Sequence, residues 1–480
     1  MTTEVDVIVI GLGPGGETLA TTLAEGGLKV VAIDKHLVGG ECPYYGCIPT
    51  KMMVRAADVL AEARRVPQLA GSSTVGPDWT TVAERIRAEA TDDWDDSVAV
   101  KRLEDAGVTF VRGQARLDGP RTVVVGDERM TARHGVVLNT GTDPALPPVE
   151  GLAETPYWTN RDAVKLEQLP ASLIVIGGGA IGAELTQVFS RFGAMVTLLE
   201  VADRIIANEE PEASKVLTSA FGSEGVQVLA GVDIAQVAYD EGQFSVSLSG
   251  DNSADAEDMT IQADALLVAA GRRTNLTDLG LDTVGIDPTS KVLDTDEHMQ
   301  VTAGLWAIGD ITGKGAYTHM SMYQAKIAAK AVLAAAGEGG APPSDGQAKS
   351  ATAFPEPQEA DYRAVPRVTF TDPEVGSVGM TEQQAREAGI RVQVGRSDLS
   401  STSRGWLHKA GNSGLVKVVA DAENGILVGG TAVGPSGGEL LAALTLAVHA
   451  RIPITTLRSM IYAFPTFHEA IRSALDDLSD

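Results

Sequence analysis

Residues 5–34 read VDVIVIGLGPGGETLATTLAEGGLKVVAID, and the order of their parts decides the fold. The apolar run at 5–10 is a β-type strand. Gly11, Gly13 and Gly16 follow as G-x-G-x-x-G, then comes a helical stretch through Leu23, then a second strand at 29–33 ending in Asp34. The glycines permit a tight turn and let a pyrophosphate approach the backbone. Helix N-terminal N–H groups face the phosphates, and the acid ending the second strand takes a ribose hydroxyl pair. Glycine-rich turns are common and say little by themselves. The strand before, the helix after and an acid 18 residues beyond the third glycine together specify a dinucleotide-binding unit.

The same unit occurs a second time. Residues 172–176 form a strand, Gly177, Gly179 and Gly182 repeat the fingerprint, and the strand at 195–199 ends in Glu200, again 18 residues past the third glycine. Two intact copies imply two dinucleotides. An acid at the ribose position would repel a 2′-phosphate, so the second site reads as one for NAD(H).

The chain has 480 residues, room for several domains. No apolar run approaches the roughly 18 residues of a membrane span. The start, MTTEVDVIVIG, passes straight into a strand without the basic opening of a signal peptide, so a cytoplasmic location is expected. A net charge of −26 opposes nonspecific binding to nucleic acid or anionic lipid.

Residues 39–53, GGECPYYGCIPTKMM, hold Cys42 and Cys47, the only two cysteines of the chain. Three readings compete: a dithiol/disulfide redox pair, half of a metal site, and two inert core thiols. A metal site needs further ligands, and the stretch 39–53 holds no His and no second Cys pair. Inert thiols need an apolar setting, whereas glycines, Glu41, Pro43, Tyr44 and Tyr45 surround this pair. Reducing compartments favour a catalytic pair over a structural one.

Further along, 56–65 and 81–103 carry helical periodicity, and 108–111 and 122–125 look like strands. GVVLNTG at 135–141 and ALLVAAG at 265–271 are apolar strands running into glycine turns. LWAIGD at 305–310 is another strand, followed by a helix at 323–336. The Pro/Gly/Ser-rich stretch 337–359 lacks periodicity and reads as a linker. A third region follows, with strand-like runs at 363–370, 414–420 and 425–432 and helices at 438–450, 454–462 and 469–478, without a dinucleotide fingerprint.

The ordered motifs GLGPGG, GGECPYYGCIPTK, GGGAIGAE, AAGRRTN, AIGD and FPTFHE span essentially the whole chain. On them the chain resembles the flavin-dependent pyridine nucleotide-disulfide oxidoreductases, the family of lipoamide dehydrogenase, glutathione reductase and mercuric reductase. The resemblance implies an α/β fold of two Rossmann-like dinucleotide-binding domains plus an α+β C-terminal dimerisation domain. The implied boundaries are 1–152 for the first part of the FAD-binding domain, 153–274 for the NAD-binding domain and 275–336 for the second, central part of the FAD-binding domain. A linker at 337–361 and an interface domain at 362–480 complete the division. It also implies FAD in the first fold, a nicotinamide in the second, and a homodimer whose partner chain completes each site.

Carried over residue by residue, the resemblance places Cys47 against the flavin and Cys42 toward the substrate. Lys51 matches the lysine near flavin N5, and Glu184 the glutamate that pairs with it. Asp310 would hold the ribityl chain, Gly141 and Gly271 would approach the two cofactors, and Ala316 to His319 would sit by the flavin ring. Lys35, Gly40, Ala115, Thr140 and Gly309 join Gly11, Gly13, Gly16 and Asp34 as expected FAD contacts. Ile181 joins Gly177, Gly179, Gly182 and Glu200 on the nicotinamide side. The implied chemistry is hydride transfer from NADH to the flavin and electron delivery to a Cys42–Cys47 disulfide. A helix beginning near the cysteine loop would make the thiolate available.

The chain also departs from the family pattern. Disulfide reductases end in His-Pro-Thr-x-x-Glu, whose His is an acid/base toward the substrate-side thiol. Here Phe464 stands in its place, followed by Pro465, Thr466, Phe467, His468 and Glu469. Loss of that base slows proton transfer by roughly 10²–10⁴ unless another group substitutes. His468, next to the Glu469 that would orient the missing His, is the substitute to test against a plain surface or packing role. Mercuric reductases also lack the His but rely on a further C-terminal cysteine pair, which this chain does not have. Pro43, Tyr44 and Tyr45 stand in place of an aliphatic-Asn-aliphatic run, and Tyr44 or Tyr45 either stacks on a flat substrate or fills space.

The leading expectation is an NADH-dependent flavoenzyme acting through Cys42 and Cys47 on a small-molecule disulfide or other thiol-reactive acceptor. Behind it stand a diaphorase-type reductase of quinones or metal ions, and a redox-sensing flavin-binding protein. No resident metal, nucleic-acid partner or membrane span is expected.

Overall fold

A computed structural model describes residues 2–249, 259–338 and 358–479. The chain divides into two compact units, each assembled from separated segments. The first comprises Met1–Pro49, Arg87–Asp143 and Arg272–Tyr362; the second comprises Thr50–Ile86, Pro144–Gly271 and Arg363–Asp480.

The first unit is built on an eight-stranded sheet. Its parallel path runs Leu305–Ala307, Glu128–Leu138, Thr2–Ile10, Val30–Asp34, Thr109–Arg112. Alternate side chains explain why the central strands read as unbroken apolar runs. Val7, Val9, Val30 and Ala32 enter one core with the helices Pro14–Glu25, Ser97–Asp105 and Thr318–Glu338. Ile8, Ile10, Val31 and Ile33 enter a second core with Leu117, Val123, Leu279 and Leu305. With both faces covered, polar alternation has no place in these strands.

Among the described residues, the second unit contains three sheets. A parallel sheet runs Gln227–Ala230, Met195–Glu200, Ser172–Ile176, Ala265–Val268. An antiparallel sheet of Asp233–Asp240, Gln243–Ser249 and Met259–Ala263 shares its core through Val237, Phe244 and Val246. A five-stranded antiparallel sheet runs Pro366–Thr369, Glu374–Gly379, Ile426–Gly434, Leu415–Asp421, Val392–Asp398. The helices Gly437–His449 and Glu469–Asp476 cover one of its faces through Leu440, Leu444, Ile471 and Leu475.

Both fingerprint strands and helices lie where the spacing puts them. Three expectations are corrected. The helix expected over 81–103 is broken into Trp79–Arg85, a π turn at Ile86–Ala90 and Ser97–Asp105. Between the last two, Asp92, Asp93 and Trp94 take left-handed φ of 47°, 55° and 57°, and aspartates compete with helical hydrogen bonding. The helix expected from 56 begins at Cys47, as Cys47–Arg65. The helix expected at 323–336 runs over Thr318–Glu338, and most of the expected linker, residues 339–357, lies outside the described residues.

Candidate functional site

The two glycine turns use one scheme. In the first unit Gly11 turns the chain at φ +93°, and a side chain there would collide with the Asn139 carbonyl. Gly16 lies directly over the Gly11 carbonyl, so the helix seats against the strand end only because Cβ is missing. Gly13 faces space: a Cβ there would meet only the Asn139 Nδ2, at 3.5 Å. Asp34 accepts hydrogen bonds from the Leu12 amide at 2.6 Å and the His36 amide at 2.7 Å.

In the second unit Gly177 has φ +107°, Gly182 lies over the Gly177 carbonyl, and nothing stands within 4 Å of a Cβ on Gly179. Glu200 accepts from the Gly178 amide at 2.6 Å and the Ala202 amide at 2.8 Å. Each acid thus braces its glycine turn with one oxygen, accepts from the amide two residues beyond itself with the other, and keeps further lone pairs for a ribose. Open space at the second glycine, with close packing at the first and third, is what a dinucleotide pyrophosphate requires. Both cradles fit their expected groups. Ile181 is half-buried at the start of the helix Ala180–Arg191.

The first unit adds a polar frame around its cradle. Asn139 Nδ2 donates to the Gly11 carbonyl at 3.2 Å and its Oδ1 accepts from Ser321 Oγ at 3.2 Å. Gln324 Oε1 accepts from the Gly309 amide at 2.7 Å, and its Nε2 donates to Thr312 and Tyr362 at 3.0 Å each. Thr142 Oγ1 donates to Asp310 Oδ2 at 2.7 Å. Thr140 Oγ1 donates to the Asn275 carbonyl at 2.8 Å. Gly40, at φ +68°, abuts the Gly13 Cα, and Ala115 is buried at the head of the strand Ala115–Leu117.

Gly141 in the first unit and Gly271 in the second have φ of +63° and +126° and open surroundings. Lys35, Ala316 and His319 are exposed, and the His319 ring stacks on Tyr317 at 5.2 Å. Asn139, Ser321 and Gln324 were not singled out from the sequence. The asparagine inside the apolar run GVVLNTG is the one signal that pointed to them.

Cys42 is half-buried in the short helical turn Glu41–Tyr44, and Cys47 is exposed at the first position of Cys47–Arg65. The loop between them is closed by the Glu41 carbonyl, which accepts from the Tyr45 amide at 2.8 Å and the Gly46 amide at 2.7 Å. Cys47 Sγ lies 3.4 Å from Thr318 Oγ1, hydrogen-bonding distance for sulfur. As the first residue of a 19-residue helix, Cys47 sits at the positive end of the helix dipole, which favours a thiolate. Tyr44 is buried, its hydroxyl pushed above the ordinary phenol range chiefly by burial and then by Asp96 and Glu17. This burial suits the space-filling reading of Tyr44.

In the second unit Lys51 Nζ donates to Glu184 Oε2 at 2.7 Å, and Glu184 Oε1 accepts from the Phe370 amide at 2.9 Å. The Lys51 ammonium also lies 4.9 Å from the centre of the Phe370 ring. Glu184 is 4% exposed and Lys51 35%, so the carboxylate is a fixed anchor that aims a partly accessible cation. Two residues 133 apart in sequence meet here as paired.

The C-terminal motif is presented differently. Phe464 is 70% exposed, and His468 is exposed just before the helix Glu469–Asp476. Glu469 pairs with Arg472 at 3.6 Å. Phe464 and Pro465, with Ser400 to Ser403, Trp406 and Leu407, line a groove of about 600 Å³. Trp406, Met460 and Ile461 are exposed too, Ile461 at 96%. Among the described residues no group of acids, histidines and cysteines could hold a metal ion, and no helix is long and apolar enough to cross a membrane.

Residues 5–332 match the pyridine nucleotide-disulphide oxidoreductase domain, and residues 365–475 match the dimerisation domain of the same proteins. The chain is 33% identical to the dihydrolipoyl dehydrogenase of Chlorobaculum tepidum over 99% of its length and 97% of that protein's. It is 31% identical to the mercuric reductase of Acidithiobacillus ferrooxidans over 98% of its length and 82% of that protein's. A Cu(II) complex of the HOCl-induced flavoprotein disulfide reductase RclA from Escherichia coli superposes with a TM-score of 0.81 at 25% identity, covering 99% of both chains.

Proposed function

Because the chain belongs to the FAD- and NAD(H)-using pyridine nucleotide-disulphide oxidoreductases, we propose that it oxidises NADH and passes the electrons through Cys42 and Cys47 to a small disulfide or other thiol-reactive acceptor. The observation that carries this reading is the cysteine loop: Cys47 opens a helix beside the Thr318 hydroxyl, and Cys42 lies in the turn before it. Bound FAD supplies the exchange of two electrons between a nicotinamide and a dithiol.

The protein's own groups do the rest. The helix N-terminus and Thr318 Oγ1 stabilise a thiolate on Cys47. A Cys42 thiolate attacks one sulfur of the acceptor disulfide, forms a mixed disulfide and expels the first thiolate. Cys47 then attacks the Cys42 sulfur, expels the second thiolate and closes the Cys42–Cys47 disulfide. Each departing thiolate takes one proton, and with Phe464 in the histidine position that proton comes from water or from His468. Glu200 disfavours a 2′-phosphate, so NADH is the donor. Two chains pair through the 365–475 domain, whose exposed Trp406, Ile461 and Phe464 supply apolar surface for the contact. Sedimentation at the mass of a single chain would remove that last element. A strictly thiol-dependent reaction suits a reducing cytoplasm.

The decisive assay is anaerobic thiol release from a panel of low-molecular-weight disulfides, driven by NADH or NADPH, with quinone reduction run in parallel. Cys42→Ser is expected to lower thiol release by about 10³-fold or more and to leave quinone reduction within about twofold. Phe464 favours a second reading, a diaphorase-type reductase of quinones or metal ions. Quinone or metal-ion turnover that survives Cys42→Ser, with no thiol released by the native protein, would establish that second reading instead.

A further inference from the structure

Glu41 is tied down twice. Its carbonyl closes the Cys42–Cys47 loop by accepting from Tyr45 and Gly46. Its carboxylate pairs with Arg272, Oε2 to Nη2 at 3.3 Å. Arg272 is itself held: Nε donates to Thr142 Oγ1 at 2.7 Å and Nη2 to the Thr142 carbonyl at 2.8 Å. Thr142 Oγ1 donates onward to Asp310 at 2.7 Å. An unbroken polar chain therefore runs from Asp310 through Thr142 and Arg272 to the residue that precedes Cys42, all inside the first unit.

We propose that Glu41 and Arg272 are positioning residues that set the reactivity of Cys42. The two act as opposed charges beside one thiol. Glu41 disfavours the Cys42 thiolate, Arg272 favours it, and their pairing keeps the local field near balance. The bond also fixes the Cys42 end of the loop, because a guanidinium already held by Thr142 cannot follow a moving carboxylate. Tyr44, Tyr45 and Cys47 share the loop with Glu41, and Arg272, with Asp310 behind Thr142, comes from other segments of the same unit. The inference rests on the reading of Cys42 and Cys47 as the redox pair.

The test is the rate at which iodoacetamide alkylates Cys42 at pH 7 in the FAD-loaded, dithiol-reduced protein, resolved by peptide mass analysis. Glu41→Gln leaves Arg272 unopposed and is expected to speed alkylation by about 3–10-fold. Arg272→Gln removes the guanidinium that pairs with Glu41 and is expected to slow it by about the same factor. Both side chains are about a quarter exposed, which keeps the effect modest. The double variant is expected to return to within about twofold of native.

A merely structural loosening would move both single variants in one direction, and that result, or no change in either, overturns the proposal. If Arg272→Gln does not fold, Glu41→Gln decides by itself: a rate equal to or below native overturns the proposal. Alkylation needs no electron acceptor. A protein that behaves as expected here but releases no thiol from any disulfide would therefore refute the functional reading and leave this one standing.

Discussion

Gly182→Val is expected to raise the KM for NADH by at least about 100-fold while the protein keeps its FAD. A side chain on Gly182 would be driven into the Gly177 carbonyl, with the Ala269 Cβ at 3.5 Å behind it. The obstacle is backbone, so no rotamer change relieves it, and overpacking of a seated helix typically costs 1–3 kcal/mol or more. The helix Ala180–Arg191 must lift from the strand Ser172–Ile176, and its N–H groups lose their aim on the pyrophosphate. The first cradle has its own glycines and is untouched. Gly16→Val is the mirror experiment: its Cβ meets the Gly11 carbonyl and the Asn139 amide, and FAD content is expected to collapse. Flavin absorbance of the purified variants and their reduction by NADH read the two sites separately. A Gly182→Val protein reduced by NADH at the native rate and KM would sink the assignment of the second cradle.

Arg191→Met is expected to destabilise the second unit by about 3–5 kcal/mol. Arg191 is 2% exposed and pairs with Asp58, Glu224 and Asp372 at 2.7 Å each. These partners come from three separated segments of the unit, so one guanidinium joins them all. Methionine fills the space but leaves three acids facing one another with reduced hydration. Burial already pushes the Asp58 carboxyl from 3.8 up to about 6, against the opposing pull of Arg191.

The sign of the pH effect follows. A carboxyl raised above its unfolded value binds its proton more tightly when folded. Its stabilising contribution is present below about pH 3.8 and is lost as pH rises through about 6. Without Arg191 the folded-state value rises further, so the deficit of the variant is expected to be largest at pH 7 and to shrink toward pH 5. Urea unfolding of native and variant protein at both pH values measures this. A deficit that stays constant or grows on acidification would refute the charge account.

Where local spacing carries the information, sequence and structure agree to within a few residues. The strand Ser172–Ile176 stands at its expected limits, and both acids lie at the ends of their strands. Strands at 374–379 and 392–398 and the helix Pro211–Ser223 were not singled out. EVGSVG and VQVGRSD carry interior glycines and polar residues that dilute a strand pattern, and the five-stranded sheet supplies the pairing that holds them. The break at Asp92–Trp94 was hidden because flanking apolar spacing is helical on both sides.

By itself the sequence determined the two dinucleotide folds and the family. Each fold resides in glycine positions and strand–turn–helix order set within about 30 contiguous residues, and the family in ordered motifs along the whole chain. Only the tertiary structure decided what braces them. Asp34 and Glu200 turn out to hold the glycine turns from 22 residues away, Glu184 is fixed by the Phe370 amide 186 residues on, and Arg272 reaches back to Glu41. Such contacts join segments that spacing cannot relate, because a charged residue reads the same in sequence whether it faces water or a partner the fold brings to it.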